Sequence, residues 1–362
     1  WLGAPIPLDA SHVLPRMLWC QRARPDVWDR TARVMLPKDY VLAHLVGAAV
    51  SDPLSNIGIV GPDLGPAAPL LAAVEGAAAR LVPLVAPVET VGRLPHGGPL
   101  PGVPVAAGTM DAWAALVGCG GAREGAQVWL SGTSEVPGAV AAGVVPTPGV
   151  VVFPAALGIR LHAAPTQAGG DAAAWAAAAL GVPVEALSAR AAGPRGPDVP
   201  LFLPQLSGER APLWNPGLRG AFLGLTRRAG PGELARAVFE GVALSARHAM
   251  AAVRASAGAG PDVLWCGGGG FRSPEWARIR ADVMGAPLRV MDAEPGVTGA
   301  ALIAAVAAGD HTTLAEAWAA TARFGPAIEP DPRASAFYDG LFAVYIDAIT
   351  TADAVTRRLA AL

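Results

Sequence analysis

One stretch of this chain constrains its fold more than any other. The apolar segment 103–107 ends in Gly108-Thr-Met and delivers Asp111 to the start of a helix. That order predicts a β-strand, a glycine turn and a helix, the repeating unit of α/β folds. Two later stretches repeat the strand-to-glycine pattern and end at Gly132-Thr-Ser and Gly267-Gly-Gly-Gly. Because glycine turns leave backbone amides accessible, we interpret the three turns as parts of one cleft that handles phosphate.

The alternation of strands and helices continues from residue 103 to about residue 310, which predicts an α/β fold with helices flanking a sheet. Within this region we expect a hairpin over 127–145 and a long helix over 231–257. Asp171 is expected to cap a helix over 172–180. The last residues, from 334 onward, predict one or two terminal helices.

The front of the chain has a helical pattern, with Ser11 as a helix cap and a further short helix around 67–81. The stretch 95–102 is rich in proline and glycine and predicts a linker. A chain of 362 residues is long enough for two domains, which we place at 1–102 and 103–362.

Composition excludes several classes of function. The net charge of -2 and the absence of a Lys/Arg run argue against a nucleic-acid surface. The only lysine is Lys38, so no lysine follows a glycine-rich loop and a Walker-type P-loop is excluded. The uncharged run 136–159 is interrupted by prolines and glycines, so we expect no membrane span. Three scattered cysteines without a Cys-x-x-Cys pair favour the cytoplasm, and dispersed histidines predict no metal site built from side chains.

Asp111 has two interpretations from the residues alone. An acid in the first turn of a helix commonly serves only to offset the helix dipole. The same position keeps a carboxylate ionised at the carboxyl end of the preceding strand, where α/β folds bind ligands. A general base that accepts the proton of a substrate hydroxyl during phosphoryl transfer needs that arrangement.

The second turn, Gly132-Thr133-Ser134, is also ambiguous on its own. It fits an ordinary hairpin turn, and its amides and hydroxyls equally form a donor surface for phosphate oxygens. A serine-hydrolase elbow is excluded because Glu135 and Val136 follow the serine and the second glycine of that motif is missing.

The third turn, Gly268-Gly269-Gly270, leaves a strand and enters a helix opened by Ser273, which suits close approach of a ligand to the backbone. Gly268 and Gly270 with Asp292 also fit part of a dinucleotide fingerprint, although Ser273 stands where its third glycine belongs. A dinucleotide-dependent oxidoreductase is therefore a further alternative.

Taken in order, these stretches resemble the FGGY carbohydrate kinases, most closely the xylulokinase-like members. The resemblance runs from about residue 13 to residue 308. It is carried by Arg16-Met-Leu-Trp, Leu36-Pro-Lys-Asp-Tyr40, Val105-Ala-Ala-Gly-Thr-Met-Asp111, Leu130-Ser-Gly-Thr-Ser134, Leu203-Pro-Gln-Leu-Ser-Gly-Glu-Arg-Ala-Pro212, Gly220-Ala-Phe-Leu-Gly-Leu-Thr226, Arg236-Ala-Val-Phe-Glu-Gly241, Gly268-Gly-Gly-Phe-Arg-Ser-Pro-Glu-Trp276 and Thr298-Gly-Ala-Ala301.

The resemblance implies an actin-like, ribonuclease-H-like ATPase fold of two lobes that binds ATP, Mg²⁺ and a sugar or polyol. Asp111 would be the base and, with Met110, would contact the substrate. Glu209-Arg210 would brace the cleft. The nucleotide residues implied by the resemblance are Gly132, Thr133 and Ser134 for the β- and γ-phosphates, and Gly268, Gly269, Gly270, Phe271 and Ser273 for the adenine and ribose.

The chain departs from the family in two places. Family members begin with a strand carrying Asp-x-Gly-Thr, and no such motif occurs here. We therefore expect 1–102 to be the remainder of the first lobe, the chain by itself to be incomplete for activity, and the full reading frame to carry the motif upstream. The resemblance favours a ketopentose such as xylulose as the substrate. Ala112 follows the predicted base where xylulokinases tend to have Asn, so the identity of the sugar stays open. A catalytically degenerate ATP- or sugar-binding protein is the alternative, and the terminal helices leave room for a homodimer.

Overall fold

The computed structural model describes residues 10, 12–258, 260 and 263–360. The chain forms two compact units. Unit 1 takes the described residues up to Gly118 together with Gly296–Thr321. Unit 2 takes Cys119–Pro295 and Ala322–Leu362, as far as the structure describes them.

Unit 1 is mainly helical and holds a core that includes Leu14, Met17, Trp28, Ile59 and Leu71. Its elements are α1 (Val13–Ala23), α2 (Pro25–Trp28), α3 (Pro37–Val46), α4 (Ala68–Leu71), α5 (Ala77–Arg80), β1 (Thr90–Arg93), β2 (Pro104–Ala106), α6 (Asp111–Leu116), α11 (Pro295–Ala308) and α12 (Leu314–Thr321).

Local signals explain where α3 begins and ends. Pro37 occupies the first helical position, and the Leu36 amide donates to the Asp39 carboxylate at 3.0 Å, which satisfies an otherwise unpaired helix-start amide. Gly47 ends the helix in the left-handed conformation, with φ of 74°. The predicted cap Ser11 of α1 lies outside the described residues.

The compact units divide after Gly118, not after residue 102. The close packing of α6 on α11 explains the difference, because a Cβ on Gly299 would collide with the Ala114 carbonyl oxygen. Backbone contact of this kind ties the helix that starts at Asp111 to unit 1. The assignment of 1–102 and 103–362 to two lobes of the family remains a prediction.

Unit 2 is built on a six-stranded mixed sheet with strand order β10-β9-β3-β4-β6-β5. The pairs β10–β9 and β9–β3 are parallel, and β4, β6 and β5 continue the sheet in antiparallel pairs. Its elements are β3 (Gln127–Ser131), β4 (Glu135–Val140), β5 (Val151–Val152), β6 (Leu161–Ala163), α7 (Gly170–Ala179), α8 (Val184–Ala191), β7 (Leu201–Leu203), β8 (Ala221–Leu223), α9 (Pro231–Ala257), β9 (Leu264–Gly267), α10 (Pro274–Met284), β10 (Leu288–Val290) and α13 (Pro332–Ala360).

The α/β class and the 231–257 helix are confirmed, and the terminal region forms the single helix α13. The predicted hairpin also forms, but its second strand ends at Val140 and not at residue 145. The continuous helix expected around 67–81 was wrong, because only the separate turns α4 and α5 form there. The cap predicted at Asp171 was also wrong. The cap position of α7 belongs to Gly169, and Asp171 lies in the first turn, where its Oδ1 accepts from the Gly169 amide at 2.8 Å.

None of the described helices is by itself long and apolar enough to cross a bilayer. The helices α7 and α8 pass that test only when taken as a pair, and a bend of 92° separates them.

Candidate active site

Two of the three glycine turns come together in unit 2. Strands β3 and β9 are parallel neighbours with Leu130 opposite Gly267, so the turns that follow them leave the same edge of the sheet. A Cβ on Gly268 would collide with the Ser131 carbonyl oxygen, and Gly268 also has φ of 97°. A Cβ on Gly270 would collide with the Ser131 hydroxyl. Only glycine therefore fits this close approach of the two turns.

A second glycine pair supports the 132–134 turn, and the sequence reasoning missed it. The Gly170 amide donates to the Gly132 carbonyl at 2.9 Å. A Cβ on Gly169 would lie 2.6 Å from Ser134 Cα, and one on Gly170 would lie 2.7 Å from the Gly132 oxygen. The sequence signal for it is the Gly-Gly pair directly before an alanine-rich helix.

The 132–134 turn presents its outer face to solvent. Gly132 and Thr133 are exposed and Ser134 is half-buried. The Gly132 amide is used within the turn, where it donates to the Ser134 carbonyl at 2.9 Å. An exposed turn of small and hydroxyl-bearing residues next to a second glycine turn has the chemistry of a phosphate cradle.

A buried carboxylate holds the inner side of the same turn. Glu135 is fully buried and accepts hydrogen bonds from Ser131 Oγ at 2.8 Å, Trp129 Nε1 at 2.6 Å and the Arg280 guanidinium at 2.7 Å. Burial raises the pKa of Glu135, while the guanidinium and the other donors act to lower it. Glu135 thus joins the end of β3, the start of β4 and α10.

Arg280 is also fully buried, and aromatic rings enclose it. Its guanidinium lies 4.1 Å from the ring centre of Trp276, 4.5 Å from that of Phe271 and 5.1 Å from that of Trp129. Cation–π contacts in a desolvated site offset part of the cost of burying the charge. The predicted nucleotide residue Phe271 therefore has its ring in the core, and only its backbone is available for the role predicted for it.

Ser273 is the N-cap of α10, as the sequence predicts, and its Oγ accepts from the Trp276 amide at 3.1 Å. The Ser188 hydroxyl donates to the same oxygen at 2.8 Å. Beside this helix start lies a cavity of about 870 Å³, a size that suits a small organic ligand. Residues from four segments line it, among them Arg195, Arg236, Pro274, Asp331 and Phe337.

Two further glutamates in unit 2 serve as structural contacts. Glu240, which lies on α9, receives hydrogen bonds from Arg236, Arg195 and Tyr338 at 2.7, 2.9 and 2.8 Å. Glu209 is buried and accepts from the Gln167 amide at 2.6 Å, and burial raises its pKa. Both acids connect separate segments of unit 2.

Asp111 and Met110 belong to unit 1, whereas the two turns just described belong to unit 2. Met110 is the N-cap residue of α6 and is half-buried. Asp111 is exposed in the first helical turn, and its Oδ1 accepts from the Ala112 amide at 2.7 Å. An exposed carboxylate in this position is accessible to a ligand and has the chemistry of a general base.

Among the described residues there is no group of three or more His, Cys, Asp or Glu side chains that could hold a metal ion. The glycine turns of unit 2 leave open space at Gly132 and Gly269, where a Cβ would have no neighbour nearer than 4.0 Å, and this space is available to a phosphate-bearing ligand.

Comparison with known proteins shows what this chain is similar to. Residues 159–308 match the profile of the FGGY family of carbohydrate kinases, C-terminal domain. A xylulose kinase of Escherichia coli K12 is 35% identical over 317 residues, which cover 83% of this chain. The chain spans 65% of the length of that relative.

Solved structures agree with the sequence match. The xylulose kinase from Rhodospirillum rubrum superposes with a TM-score of 0.83 at 26% identity, covering 98% of this chain and 75% of the other. A gluconate kinase from Lactobacillus acidophilus superposes with a TM-score of 0.87 at 23% identity, covering 99% of this chain and 75% of the other, and shows the fold alone. The fold is that of the actin-like ATPases to which these sugar kinases belong.

Proposed function

We propose that this chain, which belongs to the FGGY family of carbohydrate kinases, carries the phosphoryl-transfer residues of an enzyme that phosphorylates a sugar or polyol with ATP. The observation that carries the proposal is the packing of Gly268–Gly270 against Ser131, directly before the 132–134 turn, and of the Gly169–Gly170 pair against the turn itself. A loop with no side chains in the way lets phosphate oxygens approach backbone amides.

In this proposal ATP is the nucleotide, and Gly132, Thr133 and Ser134 bind its β- and γ-phosphates. The adenine and ribose are bound on the side of Gly268–Gly270 and Ser273, where the cavity beside α10 has a suitable volume. Mg²⁺ bound to the nucleotide would neutralise charge on the transferring phosphoryl group.

Asp111 is proposed as the general base. The substrate hydroxyl oxygen attacks the γ-phosphorus, the bond between that phosphorus and the bridging oxygen of ADP breaks, and the hydroxyl proton passes to the Asp111 carboxylate. The products are a sugar phosphate and ADP. Exposure of Asp111 at the start of α6 supports this role, since the carboxylate is accessible to a substrate.

We propose a ketopentose, xylulose first, as the substrate because the Escherichia coli relative and the Rhodospirillum rubrum structure are both named xylulose kinases. Met110 would contact it beside the base. The cytoplasm is the proposed location, since three free cysteines suit a reducing compartment where ATP is supplied. A homodimer remains a prediction.

The test is a coupled ADP-release screen of the protein expressed from its complete reading frame, with MgATP and a panel of xylulose, ribulose, gluconate and glycerol. We expect one ketopentose to exceed the other acceptors in kcat/KM by about tenfold or more. Turnover at the level of the acceptor-free blank, together with calorimetric binding of ATP, would instead support a degenerate binding protein. Tighter binding of NAD than of ATP would support the oxidoreductase.

A further inference from the structure

We propose that Thr109, Asp52 and Lys38 form a support that positions the Asp111 carboxylate for proton transfer. This inference rests on the proposed function, because it assigns positioning residues to the same reaction. All four residues lie in unit 1.

The support acts on the turn between β2 and α6, which consists of residues 107–110. Its first half is held by backbone bonds, since the Ala107 and Gly108 amides donate to the Glu89 and Pro87 carbonyls, each at 2.9 Å. Gly108 then takes φ of 70°, a conformation in which glycine has the greatest freedom. Without a further anchor, the backbone after Gly108 would be loosely fixed just where Asp111 follows.

Thr109 provides that anchor. Its hydroxyl donates to Asp52 Oδ1 at 2.8 Å, and Asp52 is fully buried, with none of its surface exposed. The Ser55 amide donates to the same oxygen at 3.0 Å, so the carboxylate is itself held in place. A charge-assisted bond to a fixed, buried carboxylate is stronger and better directed than a bond to solvent.

Lys38 contacts the turn on the other side of Gly108, at Ala107. Its ammonium lies 3.0 Å from Asp52 Oδ2 and 2.7 Å from Asp39 Oδ1, and it donates to the Ala107 carbonyl at 3.4 Å. The contacts with Asp39 and Ala107 are hydrogen bonds, whereas the contact with Asp52 is an ion pair. The only lysine of the chain therefore contacts both the turn and the carboxylate that holds the turn.

This arrangement matters for catalysis because a general base must reach the proton it abstracts within a hydrogen-bond distance of about 2.6–3.2 Å. A displacement of about 1 Å can cost on the order of 100-fold in rate. Thr109 precedes the base by two residues and touches it through the chain only. It is therefore a positioning residue, and its loss should affect the chemical step more than nucleotide binding.

The test replaces Thr109 in the protein made from its complete reading frame. Thr109→Val keeps the shape and removes the donor, and Thr109→Ser keeps the donor. We expect Thr109→Val to lower kcat about 10- to 100-fold with the KM for ATP within twofold of wild type. Thr109→Ser should restore at least half of the wild-type kcat.

The matched control is Thr31→Val, which removes a hydroxyl bonded only to the Val27 carbonyl of unit 1 at 2.8 Å, and its kcat should be unchanged. Thermal unfolding of each variant separates positioning from loss of fold, and Thr109→Ala replaces the valine variant if that variant unfolds. Wild-type kcat in either donor-free variant would overturn this inference alone, as would a serine variant no better than the valine one. A wild-type enzyme without transferase activity would overturn both this inference and the proposed function.

Discussion

This molecule has two Gly-Thr turns, Gly108-Thr109 in unit 1 and Gly132-Thr133 in unit 2. Their sequences are similar, but their threonine side chains have different surroundings. The hydroxyl of Thr109 points back into the protein and bonds a buried carboxylate. Thr133 is exposed, and its turn is held through Glu135. The first turn is thus built to fix a side chain, Asp111, and the second to present its own backbone.

Both turns nevertheless use the same support, a fully buried carboxylate paired with a cation. Asp52 pairs with Lys38, and Glu135 pairs with Arg280. The comparison teaches that the Gly-Thr dipeptide does not define a function by itself. What the turn presents to a ligand is decided by which neighbour the threonine or serine hydroxyl contacts.

The largest expected effect comes from replacing Asp111, the side chain that the first turn positions. Asp111→Asn should lower kcat by about 10²- to 10⁴-fold, because the amide cannot accept the substrate proton. ATP affinity, measured by calorimetry, should be unchanged. The control is Asp26→Asn, which changes an exposed acid in the first turn of α2. Retained turnover in Asp111→Asn would remove this residue from the base role.

The next effect comes from breaking the support of the second turn. Glu135→Gln leaves the Arg280 guanidinium buried without a counter-charge, and breaking a buried pair in this way costs about 3–5 kcal/mol of unfolding free energy. Denaturant unfolding followed by circular dichroism measures it. Asp198→Asn, which breaks a pair with the exposed Arg228, should leave stability close to wild type. Equal stability of Glu135→Gln and wild type would show that the pair does not support the turn.

A smaller effect is expected from crowding the second turn. Gly169→Ala places a Cβ against Ser134, and overpacking of this kind costs about 1–3 kcal/mol. If this free-energy cost weakens nucleotide binding, the KM for ATP rises roughly 5- to 150-fold, and kcat changes less. Gly143→Ala is the matched control, since a Cβ there meets open space. An unchanged KM would separate the 132–134 turn from ATP binding.

The smallest expected effect is on the pH dependence of folding stability. It arises at His162, which belongs to neither turn. His162 is buried, with Nε2 donating to the Ala141 carbonyl at 3.1 Å and Nδ1 accepting from the Ser256 hydroxyl at 2.8 Å. Burial lowers the pKa of His162, so the unfolded chain takes up the proton first. The stability that comes from a neutral His162 is therefore lost as pH falls below its ordinary pKa of about 6.5.

The measurement is the melting temperature between pH 7 and pH 5. In His162→Gln the decline should be shallower than in wild type, whereas the exposed His96→Gln should follow the wild-type curve. Parallel curves for all three proteins would assign the acid sensitivity to other groups.

Local signals allowed part of this structure to be predicted. The strand, turn and helix around Asp111, the 127–145 hairpin and the Ser273 cap each depend on residues within a few positions of one another. Gly169 and Gly170 could not be placed in the same way, because their role is a contact with a turn that lies well before them in the chain.

The ion pairs and the side-chain packing of unit 2 could not be predicted from the sequence either. Nothing near Glu135 indicates that its partner is Arg280, since the two meet only after β3 and α10 have packed. Phe271 belongs to a motif of the family, yet its side chain packs in the core with Trp129 at a ring distance of 5.3 Å. A motif identifies the position of a residue but not which of its atoms face a ligand.

The parallel pairing of β3 with β9 has a consequence for biosynthesis. The 132–134 turn is made early in unit 2, but its neighbour Gly268–Gly270 leaves the ribosome only after the whole of α9. Contacts between segments so far apart in sequence form late and slowly, because a long loop must close first. If the two turns bind ATP as proposed, a nascent chain that stops within α9 will not retain the nucleotide, and nucleotide binding will report the pairing of β9 with β3.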